Sequence, residues 1–334
     1  MQDIAQLAGV SISTVSRALA GSTLVAKKKR DQILQLALKR GYVVNPVARN
    51  LRLRRTHTLS VVIPLAHEAN QPLTDPFFIE LLGHLADAIT ERGYEMLLQK
   101  VLPPMEGWLT RLISSGRCDG IIVVGQSTQH EVLRVAARTY QPLVVWGGHL
   151  QQQEYCTVGT DNVAGAIAAV DHLIARRRRR IVFLGDPAVP EIQLRHKGYQ
   201  QALRRAGLLL DPGLLVRAHL TPDTAYESMR ALIEAGTRFD AVFAASDVIA
   251  ISAIRAITGA GRLVPRDVAV VGYDDISLAA HVNPSLTTVR QDLGRGAHMM
   301  VDLMFRRLNG EDAPSATMPA ELVIRDSTGD AGPG

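Results

Sequence analysis

Apolar and polar positions follow two different patterns along this chain of 334 residues. Over residues 2–39 the apolar positions recur every three or four residues, which predicts three short helices. From residue 59 onward, apolar runs of strand length such as LSVVIP and DGIIVVG alternate with longer helical segments. Continuous apolar strands separated by helices are typical of parallel sheets covered on both faces. Two successive sets of such units predict a small helical head followed by two α/β lobes.

The first two helices of the head form a helix-turn-helix pattern. Gly9 lies where the chain must reverse, and Ser11 is placed to cap the second helix. The polar side of that helix combines short side chains with one long cation, which suits a helix lying in the major groove of DNA. Its residues are Ile12, Ser13, Thr14, Ser16 and Arg17. The third helix is expected to bury Ile33, Leu34, Leu36, Ala37 and Leu38.

Positive charge is concentrated in the head. Residues 1–55 hold eleven Lys and Arg and only two acids, a net charge of +9, whereas the whole chain carries +5. A compact basic helix-turn-helix indicates a DNA-binding protein. Five arginines at residues 176–180 fall instead within the α/β region. We interpret them as a solvated loop, with acids nearby that relieve the repulsion between like charges.

A basic segment, NPVARNLRLRRTHT, joins the head to the lobes. Asn45 followed by Pro46 is a helix-start signal. Only about two turns fit before the first strand, so this helix should be marginal by itself in water. The segment carries the cations Arg49 and Arg52. It is either a basic linker or a hinge that folds on DNA.

Two stretches of the chain carry a family resemblance: DIAQLAGVSISTVSRAL followed by RGYVVNPVARNLR, and DVAVVGYDDISLAAHVNPSLTTVRQD near the carboxyl end. They resemble the LacI/GalR family of bacterial transcription regulators. The resemblance implies an α/β protein in which an all-α helix-turn-helix head and a hinge helix precede a two-lobed, periplasmic-binding-protein-like domain of doubly wound parallel sheets. The expected divisions are a DNA-binding domain (1–44), a hinge helix and linker (45–58), an effector-binding and dimerisation domain (59–326) and a disordered tail (327–334).

The resemblance also assigns roles in DNA binding. The side chains that would face base edges are Ile12, Ser13 and Arg17. Arg30 would hold a phosphate, while Ala48 and Leu51 would enter the minor groove, with Leu51 as the wedge that opens a central base step. The complete set of expected DNA contacts is Ile12, Ser13, Thr14, Ser16, Arg17, Arg30, Asn45, Ala48, Arg49, Leu51 and Arg52.

Candidate ligand contacts in the two lobes lie at strand ends, where open parallel sheets bind ligands. They are Asp75, Phe77, Phe78, Arg195, Ser246, Asp247 and Asp274. The resemblance implies that Arg195 and Asp274 hydrogen-bond polar ligand groups, and a guanidinium beside a carboxylate suits the hydroxyls of a sugar. Phe77 or Phe78 can stack on a sugar face. Both rings could instead be plain core, and Asp274 could cap the following helix.

Nothing in the sequence points to catalysis. It contains no glycine-rich phosphate cradle, no nucleophile elbow and no metal-ligand cluster, and its two cysteines are too few for a disulfide framework. We therefore expect no enzyme activity, no cofactor and no metal. No apolar run is long enough to cross a bilayer, and the basic head does not resemble a signal peptide. A cytoplasmic, nucleoid-associated protein is expected.

The predicted function is that of a homodimeric transcription regulator, most simply a repressor, that binds an inverted-repeat operator in double-stranded DNA. A mono- or disaccharide would bind between the lobes and control DNA binding by allostery. The carboxyl-terminal tail has no apolar heptads, which favours a dimer over a tetramer. Two alternatives remain open at this point: a purine-type corepressor in place of the sugar, and a sugar-acting enzyme with a regulatory head.

Overall fold

The chain divides into two units, Met1–Thr56 and His57–Gly334. The computed structural model describes residues 1–19, 22–42, 55–65, 71–102 and 106–329. In the first unit, which we call the head, the described helices are α1 (Gln2–Ala8), α2 (Ile12–Leu19) and α3 (Lys27–Lys39). The three helices predicted from the apolar periodicity are therefore present.

The head is built around a small core contributed by all three helices. Its buried residues are Ile4, Ala5, Ala8, Val15, Ala18, Val25, Ile33 and Ala37. Leu34 and Leu38, which were expected to be buried, are 39% and 80% exposed. A single helix face is wide enough for only part of a nearly continuous apolar run. The ammonium of Lys29 donates to the carbonyl of Ala8 at 2.7 Å, so this cation ties α3 to the end of α1.

The helices of the head differ in how their ends are capped. Gly9 follows α1 with φ of 63°, a left-handed conformation that favours glycine. The hydroxyl of Ser11 accepts from the amide of Thr14 at 3.2 Å, as expected of a cap for α2. Ala26 lies at the N-cap of α3 and offers no side-chain hydrogen bond. This end of α3 is therefore under-capped.

Ala26→Ser should raise the free energy of unfolding of the head by about 1 kcal/mol, because a serine hydroxyl can accept from an otherwise unpaired amide in the first turn of α3. Native-state hydrogen exchange of the α3 amides in the full chain measures the change. Ala26→Val is the matched control, since it adds bulk without an acceptor. Equal protection in both variants would show that capping is not the cause.

The second unit contains two lobes of strands and helices. Its helices are α4 (Pro76–Glu91), α5 (Trp108–Ser114), α6 (His130–Ala137), α7 (Asn162–Ala175), α8 (Pro190–Arg205), α9 (Pro222–Glu234), α10 (Asp247–Gly259) and α11 (Leu293–Leu308). Its strands are β1 (Thr58–Pro64), β2 (Glu95–Val101), β3 (Gly120–Val124), β4 (Leu143–Trp146), β5 (Cys156–Thr160), β6 (Ile181–Leu184), β7 (Leu215–Val216), β8 (Ala241–Ala244), β9 (Ala269–Asp274), β10 (Thr287–Arg290), β11 (Ala316–Met318) and β12 (Glu321–Val323).

Each lobe is organised around one six-stranded sheet. The first sheet has the order β11-β5-β4-β3-β1-β2 and the second has the order β12-β10-β9-β8-β6-β7. All pairs are parallel except β10 with β12, an antiparallel edge. The chain enters the second lobe after β5, returns to the first for β11 and crosses again to β12. The predicted doubly wound sheets are confirmed, and the antiparallel edge is an addition that the apolar pattern did not reveal.

Buried apolar residues form a core on each covered sheet face. In the first lobe, α4 and α11 pack on one face and α5 and α6 on the other. In the second lobe a single large cluster joins both faces of the sheet. Its largest fully buried side chains are Tyr273, Phe183 and Phe243. No described helix is long and apolar enough to cross a membrane.

The carboxyl-terminal segment corrects the expectation of a disordered tail from residue 327. Ser327 and Thr328 are 0% and 2% exposed. The Ser327 hydroxyl donates to the carbonyl of Val270 at 2.6 Å, and the Thr328 hydroxyl lies 2.9 Å from Nε2 of His172. These small polar residues are ordered because they satisfy buried groups of the second lobe, which composition by itself does not reveal.

The five consecutive arginines are largely structural. The guanidinium groups of Arg176, Arg178 and Arg180 donate to backbone carbonyls of neighbouring segments at 2.7–2.8 Å. The carboxylate of Asp240 accepts from two backbone amides of the run, and Asp211 pairs with Arg180 at 3.1 Å. The predicted nearby acids are confirmed. The run is more than a solvated loop, because three of its side chains brace loops of the second lobe.

The stability of the second unit should fall as pH drops from about 6.5 to 4, because His172 stays neutral in the folded chain. Burial, and secondarily the nearby Arg176, lowers the pKa of His172 to about 4. In this window the unfolded chain binds a proton that the folded chain does not, and the loss is on the order of 2–3 kcal/mol. Urea unfolding at several pH values measures it. His172→Gln should flatten the profile, and an unchanged slope would exclude His172 as the cause.

Candidate recognition helix and inter-lobe cavity

Helix α2 presents the polar side predicted for DNA recognition. Ile12, Ser13 and Arg17 are exposed, while Thr14 and Ser16 are half-buried. The hydroxyl of Ser13 lies 2.8 Å from that of Ser11. Arg30 is half-buried near the start of α3. The remaining expected DNA contacts lie outside the described residues: Asn45, Ala48, Arg49, Leu51 and Arg52.

A cavity opens between the two lobes at the carboxyl ends of their strands. Residues at the ends of β1, β3, β4 and β5 form its wall in the first lobe, and residues at the ends of β8, β9 and β10 meet them from the second. Together with its open mouth, the cavity takes in about 790 Å³. This is the position at which open parallel sheets bind ligands.

Most of the predicted ligand contacts lie on the wall of this cavity. They are Asp75, Phe77, Phe78, Arg195, Ser246 and Asp274. Asp247 is the exception, since it is fully buried and does not line the cavity. Residues far apart in the sequence are thus brought together around one space. Contact with a ligand stays a prediction for each of them.

Arg195, on α8, lines the second lobe's side of the cavity. Its Nε donates to Oδ1 of Asn162 at 2.8 Å, and one Nη1 proton goes to the carbonyl of Ala245. Nη1 also lies 3.6 Å from Oδ1 of Asp274, and the guanidinium stacks 3.7 Å from the ring centroid of Tyr273. The guanidinium is therefore held in one orientation, because its partners surround it on several sides.

Asp274 ends β9 beside Arg195. Its Oδ1 accepts from the amide of Gln291 at 2.7 Å. Burial raises the pKa of the Asp274 carboxyl well above its usual range, against the opposing influence of Arg195 and Gln291. Its backbone φ of 123° is unfavourable for a residue with a side chain. Strained residues of this kind cluster at ligand sites, where their surroundings hold them in place.

Asp247 supports the site from behind the wall rather than from within the cavity. Its Oδ2 accepts from the amide of Ile276 at 3.0 Å and its Oδ1 accepts from the hydroxyl of Thr288 at 2.5 Å. These bonds hold the turn that follows β9. The neighbouring Ser246 lines the cavity, and its hydroxyl accepts from the amide of Ile249 as the cap of α10. The prediction that Asp247 contacts the effector is corrected accordingly.

Aromatic rings cover the first lobe's side of the cavity. Asp75 caps α4 by accepting from the amide of Phe77 at 3.0 Å, which fixes the start of this helix at the rim. Phe77 lies 6.2 Å from the ring centroid of Trp146 and 5.8 Å from that of Phe78. Phe77 also packs against the cores of both lobes. Phe77 is therefore part of the core and also part of the cavity wall.

Several residues that line the cavity were not predicted from the sequence. They are Gln71, Ser127, Trp146, Thr160, Asn162, Glu191 and Gln291. Most lie at or just after a strand end, the same signal that identified the predicted contacts. Trp146 closes an apolar strand and is followed by two glycines, a pattern that could have revealed it. Gln71 carries no local signal.

Hydrogen bonds between backbone amides and carboxylates join the lobes. The amide of Gln126, in the first lobe, donates to Oε1 of Glu191 at 2.9 Å. The amide of Ser277, in the second lobe, donates to Oε1 of Glu80 at 2.8 Å. Each bond pairs a carboxylate with a backbone amide across the lobe boundary, so a change in the relative placement of the lobes must break or remake it. Among the described residues, no group of His, Cys, Asp and Glu could hold a metal ion.

Two parts of this chain match known protein families. Residues 1–45 match the model of bacterial regulatory proteins of the lacI family, and residues 170–328 match that of the periplasmic binding protein-like domain. The HTH-type transcriptional regulator CelR of Thermobifida fusca is 32% identical over 98% of this chain and 97% of its own. The HTH-type transcriptional repressor CytR of Escherichia coli is 30% identical over 98% of this chain and 96% of its own.

Solved structures agree with the fold. A complex of the transcriptional regulator CelR with cellobiose has a TM-score of 0.74 at 31% identity, covering 97% of this chain and 98% of that one. The lac repressor dimer bound to operator and the anti-inducer ONPF has a TM-score of 0.85 at 23% identity, covering 98% of each chain, and this shows the shared fold. Because relatives of at least 30% identity span nearly the whole chain, the protein belongs to the LacI family of bacterial DNA-binding transcriptional regulators.

Proposed function

We propose that this protein is a repressor that binds an inverted-repeat operator as a homodimer, in the cytoplasm at the nucleoid, and that a small neutral sugar in the inter-lobe cavity controls its DNA affinity. The observation that carries the effector proposal is the buried pair of Arg195 and Asp274 on the cavity wall, 3.6 Å apart. The exposed polar side of α2 and the basic head support DNA binding.

The chemistry of the wall favours a polyhydroxylated ligand. A guanidinium only donates hydrogen bonds and an ionised carboxylate only accepts them, whereas a hydroxyl does both and can satisfy the two together. Phe77 and Trp146 offer apolar faces of the kind that cover a sugar ring. The cavity also holds more acids than bases, with Asp75, Glu191 and Asp274 around Arg195. A phosphorylated or otherwise anionic ligand would be repelled.

The comparisons support the same choice. CelR, at 31% identity, is the protein whose solved complex contains cellobiose, which favours a mono- or disaccharide here over a purine-type corepressor. Relatives that match nearly the whole chain are named regulators and repressors, which disfavours a sugar-acting enzyme. The lac repressor dimer on its operator has the same fold and is consistent with a homodimer on an inverted repeat.

The proposed mechanism links the two units through the hinge. The hinge residues expected to contact DNA, Ala48 and Leu51 among them, would fold when the protein binds its operator. A sugar that prefers one placement of the lobes shifts the population toward that placement and so changes the geometry of the paired hinges. Such a shift would break or rearrange the two carboxylate-to-amide hydrogen bonds between the lobes.

The direct test is a binding panel. Calorimetry with the full chain measures the Kd for glucose, galactose, ribose, cellobiose, maltose, glucose 6-phosphate, hypoxanthine and adenine. At least one neutral sugar should bind, and it should change the affinity for an operator selected from a random DNA library. Binding of a purine with no response to any sugar would overturn the sugar effector in favour of a corepressor.

Asp274→Ala should raise the Kd of the bound sugar at least about tenfold, because losing one partner of a buried charged hydrogen bond costs about 1.5–3 kcal/mol. Operator affinity without sugar should stay close to that of the wild type. Asp274→Ala combined with Arg195→Ala should cost less than the sum of the two changes if both side chains hold the same ring. Strict additivity, measured by calorimetry, would mean that they contact separate parts of the ligand.

A further inference from the structure

Gln71 lies on the first lobe's wall of the cavity, shortly before α4, and only 2% of its surface is exposed. Its side-chain amide has two ends with different surroundings. The nitrogen Nε2 donates to Oδ2 of Asp75 at 3.0 Å. The carbonyl oxygen Oε1 is buried and has no hydrogen-bond partner among the described residues.

The neighbouring carboxylate determines the orientation of this amide. Ionised Asp75 can only accept, so the nitrogen end of Gln71 must face it and the carbonyl end must point elsewhere. The backbone is held as well, because the ammonium of Lys100 donates to the carbonyl of Gln71 at 3.1 Å. Asp75 is fixed in turn by the amide of Phe77. Oε1 is therefore an unpaired acceptor held in one orientation on a residue of the cavity wall.

A buried carbonyl oxygen without a donor is unfavourable, and a ligand that brings a donor removes the penalty. Thr160, also 2% exposed and on the cavity wall, has a hydroxyl in the same condition among the described residues. A fully ionised phosphate or a carboxylate has no proton to give to Gln71 Oε1, whereas a sugar hydroxyl has one. The site thus holds unused hydrogen-bonding capacity that matches a hydroxylated ligand.

We propose that Gln71 is a specificity-determining residue of the effector site, whose Oε1 accepts a hydrogen bond from one hydroxyl of the sugar. This rests on the sugar effector proposed above. Gln71 selects sugars that place a donating hydroxyl at this point, and it rejects derivatives in which that hydroxyl is missing or carries a phosphate.

The test changes the protein and the ligand together. Calorimetry measures the Kd of cellobiose, or of another sugar in the panel should one bind more tightly, and of its monodeoxy derivatives. In the wild type, one derivative should bind about tenfold more weakly than the parent because Oε1 is left unpaired. Gln71→Met, which keeps the length of the side chain and removes the amide, should bind the parent about tenfold more weakly and not distinguish it from that derivative.

Gln193→Met is the matched control, since Gln193 is exposed on α8 and does not line the cavity; its sugar affinity should equal that of the wild type. If thermal unfolding shows that Gln71→Met does not fold, Gln71→Asn replaces it, because it sets the amide back from the ligand. Identical discrimination among the derivatives by the wild type and the Gln71 variant would overturn the role of Gln71 and leave the sugar effector intact. Failure of every sugar to bind the wild type would overturn both.

Discussion

Replacing Arg195 by Met should lower the free energy of unfolding by about 3–5 kcal/mol, because it leaves the carboxylate of Asp274 buried without its cation. Asp274 is 6% exposed, and its carboxylate lies 3.6 Å from the guanidinium. The variant also loses the bonds from Arg195 to Asn162 and to the carbonyl of Ala245. Urea unfolding of the full chain measures the change, and sugar binding should be lost as well.

The cause can be separated from simple loss of packing. The loss in Arg195→Met should grow as pH rises above about 7, since burial raises the pKa of Asp274 to about 7 and removal of the cation raises it further, so that the carboxyl of the variant stays protonated where that of the wild type is ionised. Adding Asp274→Asn to Arg195→Met should recover part of the stability, because no unpaired charge then remains buried. Arg204→Met, on the exposed side of the same helix, is the control and should be nearly neutral. A pH-independent loss without rescue would point to packing instead.

Arg17→Ala should weaken operator binding by about 1–3 kcal/mol per head, and a dimer contributes two heads. Arg17 is exposed on α2, where a guanidinium can bridge the edge of a guanine. The preference at one base pair of each half-site should relax, while sugar binding stays unchanged. Fluorescence anisotropy with the selected operator and with single-base variants of it measures both effects.

The comparison with random DNA distinguishes base reading from phosphate contact. Arg40→Ala removes one charge from the exposed end of α3 and serves as the control for net charge. It should weaken binding to operator and to random DNA by a similar factor. Should Arg17→Ala do the same, Arg17 would be a phosphate contact and not a reader of bases.

The spacing of apolar residues was sufficient to predict the elements that depend on local sequence pattern. The helices of the head, most of the buried strands and the polar side of α2 follow from which residues are apolar and how they repeat, whereas the buried strands β5 and β10 were not predicted. The Ser11 cap and the turn at Gly9 follow from local chemistry in the same way. Strand ends also located the cavity, because parallel sheets gather their carboxyl ends at one edge. The roles assigned to Arg195 and Asp274 came from the family resemblance.

Other features depended on which segments meet in space. Ser246 and Asp247 are neighbours just past the same strand, yet one lines the cavity and the other holds Ile276 and Thr288 behind it. Ser246 is the cap of α10 and Asp247 is its first residue, so their side chains leave the chain in different directions, and only the packed fold shows which of them faces the cavity. Gln71 could not be predicted from the sequence for a related reason. What distinguishes it is a side-chain carbonyl oxygen that has no hydrogen-bond partner among the described residues.

The sequence by itself determined the fold class, the family and the existence of a basic head and a strand-end site, because each rests on local pattern and charge. Tertiary structure decided the burial of Ser327 and Thr328, the antiparallel edge strand β12 and the structural use of the arginine run. These features depend on hydrogen bonds and charges between residues distant in the chain. The type of a residue determines which hydrogen bonds it can make, and only the folded structure determines which partner it meets.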